Sequence, residues 1–155
     1  MSAPKSVVKI KKGNVEYTSN VDFACYNIFE LTRAAMRDVG KFLATTMRAK
    51  ARKLPGSKKD RFVRYKTGGI IYKVPFDPNG LPHVEVGTTQ DSWYTEEHEN
   101  GSSKQPRRGI MKDTAYLNVA KIVEIESKYL SALEDEAKAL SLIEEGEYSG
   151  KGEDV

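Results

Sequence analysis

The chain has 155 residues, 39% hydrophobic and 30% charged, with a formal net charge of +3. That composition fits one domain with a modest core and excludes a wholly disordered chain. No apolar run approaches the roughly 18 residues needed to cross a bilayer, so no membrane partner is expected. The start, Met-Ser-Ala-Pro-Lys, has no apolar leader and argues against secretion by that route. The single cysteine, Cys25, has no internal partner for a disulfide and reads as a small buried hydrophobe.

The small net charge hides a polarity. Residues 1–75 carry 17 Lys/Arg and 5 Asp/Glu, a balance of +12, and residues 76–155 carry 8 and 17, a balance of −9. Either the opposite charges meet within one fold, or a basic face of one copy meets an acidic face of the next.

Residues 6–18 read as a hairpin. Val8, Ile10, Val15 and Tyr17 alternate about a Gly13-Asn14 turn. Ser19 or Asn20 then caps a helix expected over 21–53, with Asp22 in its first turn. Val21, Ala24, Cys25, Ile28, Leu31, Ala35, Val39, Leu43 and Met47 give its three-and-four spacing. Gly40 interrupts it and marks a bend or a close approach, and Leu54-Pro55-Gly56 stops it.

A basic loop is expected over 56–61. Three strands follow, at 61–65, 70–76 and 83–86, with Asp77-Pro78-Asn79-Gly80 as a turn. A final helix is expected from Asp113 or Thr114 to Glu145, roughly 45 Å long. Val119, Val123, Leu130, Leu133, Ala137 and Leu140 form its stripe, which Ile122, Ile125 and Tyr129 widen beyond what a small sheet can cover. Gly146 suits the C-terminal cap, and the acidic tail 147–155 reads as disordered. The expected fold is therefore a single α+β domain over 1–146: a long N-terminal helix, an antiparallel sheet of three to five strands and a long C-terminal helix.

Catalytic patterns are missing. His83 and His98 stand 15 residues apart without ligands at metal spacing, and the carboxylates beside His98 (Glu96, Glu97, Glu99) fit a solvated acidic turn as well as an ion site. No phosphate loop and no nucleophile elbow occurs, so no enzyme activity, metal or cofactor is expected. A basic cluster is prominent instead. Arg48, Lys50, Arg52, Lys53, Lys58 and Lys59 could grip phosphates, line a DNA channel without reading sequence, or contact a neighbouring subunit.

The segment 93–111 is the most informative. Tyr94 lies in an aromatic lead, followed by Glu99, Asn100, Gly101 and Ser102, then Pro106 and Arg107 in a loop, then Ile110 and Met111 before the last helix. This order resembles the neck and tail-completion (head–tail joining) proteins of tailed bacteriophages, over roughly residues 20–140. Asn100 stands where that family carries an aromatic.

The resemblance implies a structural virion protein, made in the bacterial host cytoplasm and residing in the phage neck. It implies a homo-oligomeric ring, most often a hexamer, seated between head connector and tail around the DNA channel. Tyr94, Glu99, Gly101, Ser102, Pro106 and Arg107 would form a partner-docking loop, with Arg107 meeting carboxylates on a neighbour. A basic nucleic-acid-binding module is the alternative reading.

Overall fold

The computed structural model describes residues 8–19, 21–54, 69–75, 80–89, 95–104, 106–135, 138 and 141–143. The expected loop 56–61, the strand at 61–65, Tyr94, Lys58, Lys59 and the tail 147–155 lie outside these residues.

The N-terminal hairpin forms as its alternation predicts. β1 (Val8–Lys12) and β2 (Val15–Ser19) pair antiparallel, with Lys12 opposite Val15 across the two-residue turn. Gly13 holds φ +63 there, which a residue with a Cβ resists. The ribbon forms a sheet of its own.

α1 (Val21–Lys53) has the bounds expected of it. Asp22 sits in its first turn and Lys50, Arg52 and Lys53 in its last, each sign suited to its end of the helix dipole. Its inward stripe is Leu31, Ala34, Ala35, Val39, Leu43, Ala44, Met47 and Ala51. The first two turns lie outside the core: Val21 and Ile28 are exposed, and so is Cys25, against the expectation of a buried thiol. Cys25 shares the apolar periodicity of α1, but no described element reaches far enough to cover that turn.

β3 (Ile70–Lys73) and β4 (Glu85–Thr88) form the second sheet, antiparallel, Ile70 opposite Thr88. β3 stops before Pro75, which has no N–H to donate to a ladder. β4 sits two residues later than the hydropathy suggested, because its ladder continues into the Thr89 N–H to Gly69 carbonyl bond, 2.9 Å. Among the described residues the expected single sheet is thus two separate two-stranded ribbons. β3–β4 packs on the middle of α1, and Gly40 is the reason it fits. A Cβ at Gly40 would lie 2.4 Å from the Tyr72 ring and 2.9 Å from Val84. Gly40 is therefore a close approach.

α2 (Thr95–Asn100) precedes the last helical region, which differs most from expectation. In place of one continuous helix, the chain forms α3 (Met111–Leu117), α4 (Val119–Leu130) and one turn of 3-10 helix (Ser131–Glu134). Asn118 makes the first break. Its side chain donates to the Thr114 carbonyl at 2.7 Å and its N–H reaches back only to Ala115. Asp135 makes the second. Its backbone is extended, and its carboxylate accepts the Lys138 N–H at 3.2 Å, as an N-cap does. Leu142 and Ile143 then return to the core.

Two apolar clusters result. One joins α1 to β3, Ile110, Ile122 and Ile125. The other joins Leu31, Ala34 and Ala35 to Tyr129, Ala132, Leu142 and Ile143. The Tyr129 hydroxyl donates to the Asp38 carboxylate, a charge-assisted bond at the edge of this cluster. Tyr129→Phe should cost about 2 kcal/mol in urea unfolding, the usual scale for a part-buried bond to a charged acceptor. A loss below about 0.5 kcal/mol would show that water replaces the contact freely.

Candidate partner-docking site

The residues from Thr95 to Asp113 form a built structure and not a loose loop. α2 ends at Asn100, and Gly101 turns the chain with φ +82. The Gly101 N–H still donates to the Glu97 carbonyl at 2.8 Å, and a Cβ on Gly101 would lie 2.9 Å from the Arg107 nitrogen. So a left-handed glycine is needed both for its φ and for the returning strand of chain. That return is fixed by the Arg108 N–H donating to the His98 carbonyl, 2.9 Å. Gly109, φ +51, makes a second turn, where a Cβ would strike the Asp113 carboxylate at 2.2 Å.

Glu99 is the centre of the segment. It is buried, and its two oxygens accept the Met111 and Lys112 N–H groups at 3.0 and 2.7 Å. α3 has no cap from its own Ile110 side chain, so Glu99 supplies it from twelve residues away. The carboxylate meets both the orphan donors and the positive end of the helix. Ile110 is wholly buried beside it.

The other residues singled out in the sequence fall as follows. Ser102, Pro106 and Arg107 lie on the surface. The carboxylate that Arg107 meets is Asp113 of its own chain, at 2.5 Å, because the Gly109 turn brings the two together. Asn100 is exposed and accepts from Lys112 Nζ at 3.3 Å. The basic cluster is divided. Arg48 Nε donates to the Ile70 carbonyl at 2.9 Å, and Lys50 Nζ to the Gly109 carbonyl at 3.0 Å, so both heads brace the subunit itself. Arg52 and Lys53 are exposed at the end of α1.

His98 is buried on α2, where desolvation and then the Arg108 charge hold its pKa below the ordinary 6.5, against a smaller opposing effect of Glu97. The unfolded chain therefore binds a proton before the folded one does. Stability should be complete above pH 6.5 and fall as the pH drops below it, levelling once the folded imidazole also titrates. Thermal unfolding of wild type and His98→Gln between pH 7.5 and 5 checks this. An equal slope in both chains would remove His98 as the cause. Among the described residues no three His, Cys, Asp or Glu side chains converge as a metal site.

The feature that sequence reasoning assigned to the wrong side is the last helical face. Ile122, Ile125 and Tyr129, read as the margin of the stripe, pack on α1. Val119, Val123, Leu130 and Leu133, read as its centre, face outward with Tyr116 and Leu117. Tyr116 and Leu117 are 78% and 79% exposed. Both sets recur at helical spacing, so periodicity alone ranks neither above the other. An exposed apolar row of this length marks a contact surface more often than bare solvent exposure. Where the groove between α1 and α4 opens beside it, Leu130 and Leu133 are shared by both.

No helix among the described residues is long and apolar enough to cross a membrane. No protein-family model, curated protein or solved structure matches this chain.

Proposed function

We propose that this chain is a structural subunit of the neck of a tailed bacteriophage, assembling as a ring, sixfold, between head connector and tail around the DNA channel. It works by assembly and sealing, not by turnover. The observation that carries the reading is the uncovered apolar row on α3–α4, which a monomer has no use for and a ring subunit buries. Two further features support it. The resemblance around Glu99, Gly101, Ser102, Pro106 and Arg107 coincides with a braced turn in which Glu99 is buried as the cap of α3 and Ser102, Pro106 and Arg107 are held at the surface, the form a docking element takes. The +12/−9 division of charge along the chain suits the unlike surfaces that a head-to-tail contact needs.

The nucleic-acid-binding alternative draws less on Arg48 and Lys50, each of which gives one donor to a backbone carbonyl of its own subunit, than on Arg52 and Lys53, which are exposed at the end of α1. A channel lining that attracts DNA without sequence readout remains part of the ring reading.

Solution mass and negative-stain imaging of the full chain test the proposal. A closed assembly of several copies with a central opening is expected. A protein that stays monomeric at high concentration and never enters particles would end it. DNA affinity that is tight, and falls steeply with salt in a monomer, would favour the alternative.

A further inference from the structure

Two apolar surfaces of this chain lie bare, and they carry opposite charge. The first is an arm. The β1–β2 ribbon forms its own sheet, and register puts Ile10, Lys12 and Val15 on one face. Ile10 and Val15 are 56% and 70% exposed. A lone two-stranded ribbon is marginal in water and gains most from a surface to lie on. Lys9, Lys11 and Lys12 against Glu16 give the ribbon a balance of +2.

The second surface is the groove of about 200 Å³ between α1 and α4, walled by Ile28, Leu31, Ala35, Leu130 and Leu133, with Glu126 on its side. Lys121 and Lys128 against Glu124, Glu126, Glu134 and Asp135 give the stretch 119–135 a balance of −2.

We infer that the β1–β2 arm of one copy docks in the α1–α4 groove of the next, Ile10 and Val15 on the apolar walls and Lys12, the lysine on their face of the ribbon, toward Glu126, Glu134 and Asp135. This rests on the neck-ring reading and names the contact that builds it. The arm does not serve its own groove. Among the described residues no residue of β1 or β2 lines the groove of its own chain, and Val15 lies at the turn end of the ribbon with Ile10 at its middle. Arm and groove are different patches, so the contact is heterologous and propagates until it closes.

The test uses the full chain with Cys25→Ser, the one native thiol removed, and the pair Ile10→Cys and Leu133→Cys bridged by a short bismaleimide. The expected result is a ladder rising one chain at a time to the full ring. Lys12→Glu should lower the bridging yield roughly threefold, and adding Glu126→Lys should restore it. A ring that forms without bridging overturns the arm contact and leaves the neck reading standing. A bridge confined to one chain, seen as a faster-migrating monomer, or one that stops at a dimer, also overturns it. A chain that shows no assembly by solution mass removes the neck reading first, and this contact with it.

Discussion

Glu99→Ala should destabilise the protein by about 3 kcal/mol, a fall of roughly 10 °C in Tm for a chain of this size. The carboxylate is buried and accepts two backbone N–H groups at the start of α3, at 3.0 and 2.7 Å. Removing it leaves both donors without a partner and strips the negative charge from the positive end of the helix. The cost should exceed that of an ordinary cap, because alanine also leaves a gap beside the fully buried Ile110. Glu99→Gln, which keeps one oxygen acceptor and the side-chain volume, should lose about half as much. Urea unfolding of the three chains decides it. If alanine and glutamine cost the same small amount, under about 1 kcal/mol, α3 does not depend on this cap. The same change should loosen the start of α3, and with it the placement of Tyr116 and Leu117, so any assembly should weaken before the fold is lost.

Gly40→Val should cost about 3 kcal/mol, and Gly40→Ala about 1 kcal/mol, although Gly40 lies inside a long helix. Helix propensity alone predicts the reverse for alanine, a gain of about 1 kcal/mol. The sign turns on the contact: a Cβ would stand 2.4 Å from Tyr72 Cδ2, 2.9 Å from Tyr72 Cγ and 2.9 Å from Val84 Cγ2. The Tyr72 ring carbon nearest the backbone cannot swing away without moving β3, so the β3–β4 ribbon must lift off α1. Valine adds two methyl groups to the same overlap. Stabilisation by alanine in a denaturant titration would show that the ribbon yields easily and that Gly40 does not set its seat.

Some of this was legible in the residues. The hairpin followed from strict alternation around Gly13-Asn14, since both signals are local and agree. The bounds of α1 followed from Asp22 at one end and Leu54-Pro55 at the other. The last helix was misread for two reasons. Asn118 and Asp135 are tolerated within many helices, and only their bonds to Thr114 and Lys138 show that here they compete with it. Its two apolar rows also have nearly the same spacing, so hydropathy could not rank them. At the candidate site, the sequence pointed to Glu99, Gly101, Pro106 and Arg107, but not to Gly109 and Asp113, which complete the turn.

The sequence by itself determined the local units: where a ribbon turns, where α1 begins and ends, and that the chain holds more apolar helical surface than a small sheet can hide. Those depend on backbone preference and periodicity, which neighbours along the chain settle between them. Only the tertiary structure decided which row of α4 is inside. Tyr129 reaches Asp38 across 91 positions of sequence, and Leu142 and Ile143 close over Leu31 and Ala35. It also decided that Arg48 braces a carbonyl of β3 and Lys50 the carbonyl of the Gly109 turn. Such choices are made between segments far apart in the chain, by the shape and donors each presents, and no local pattern records them.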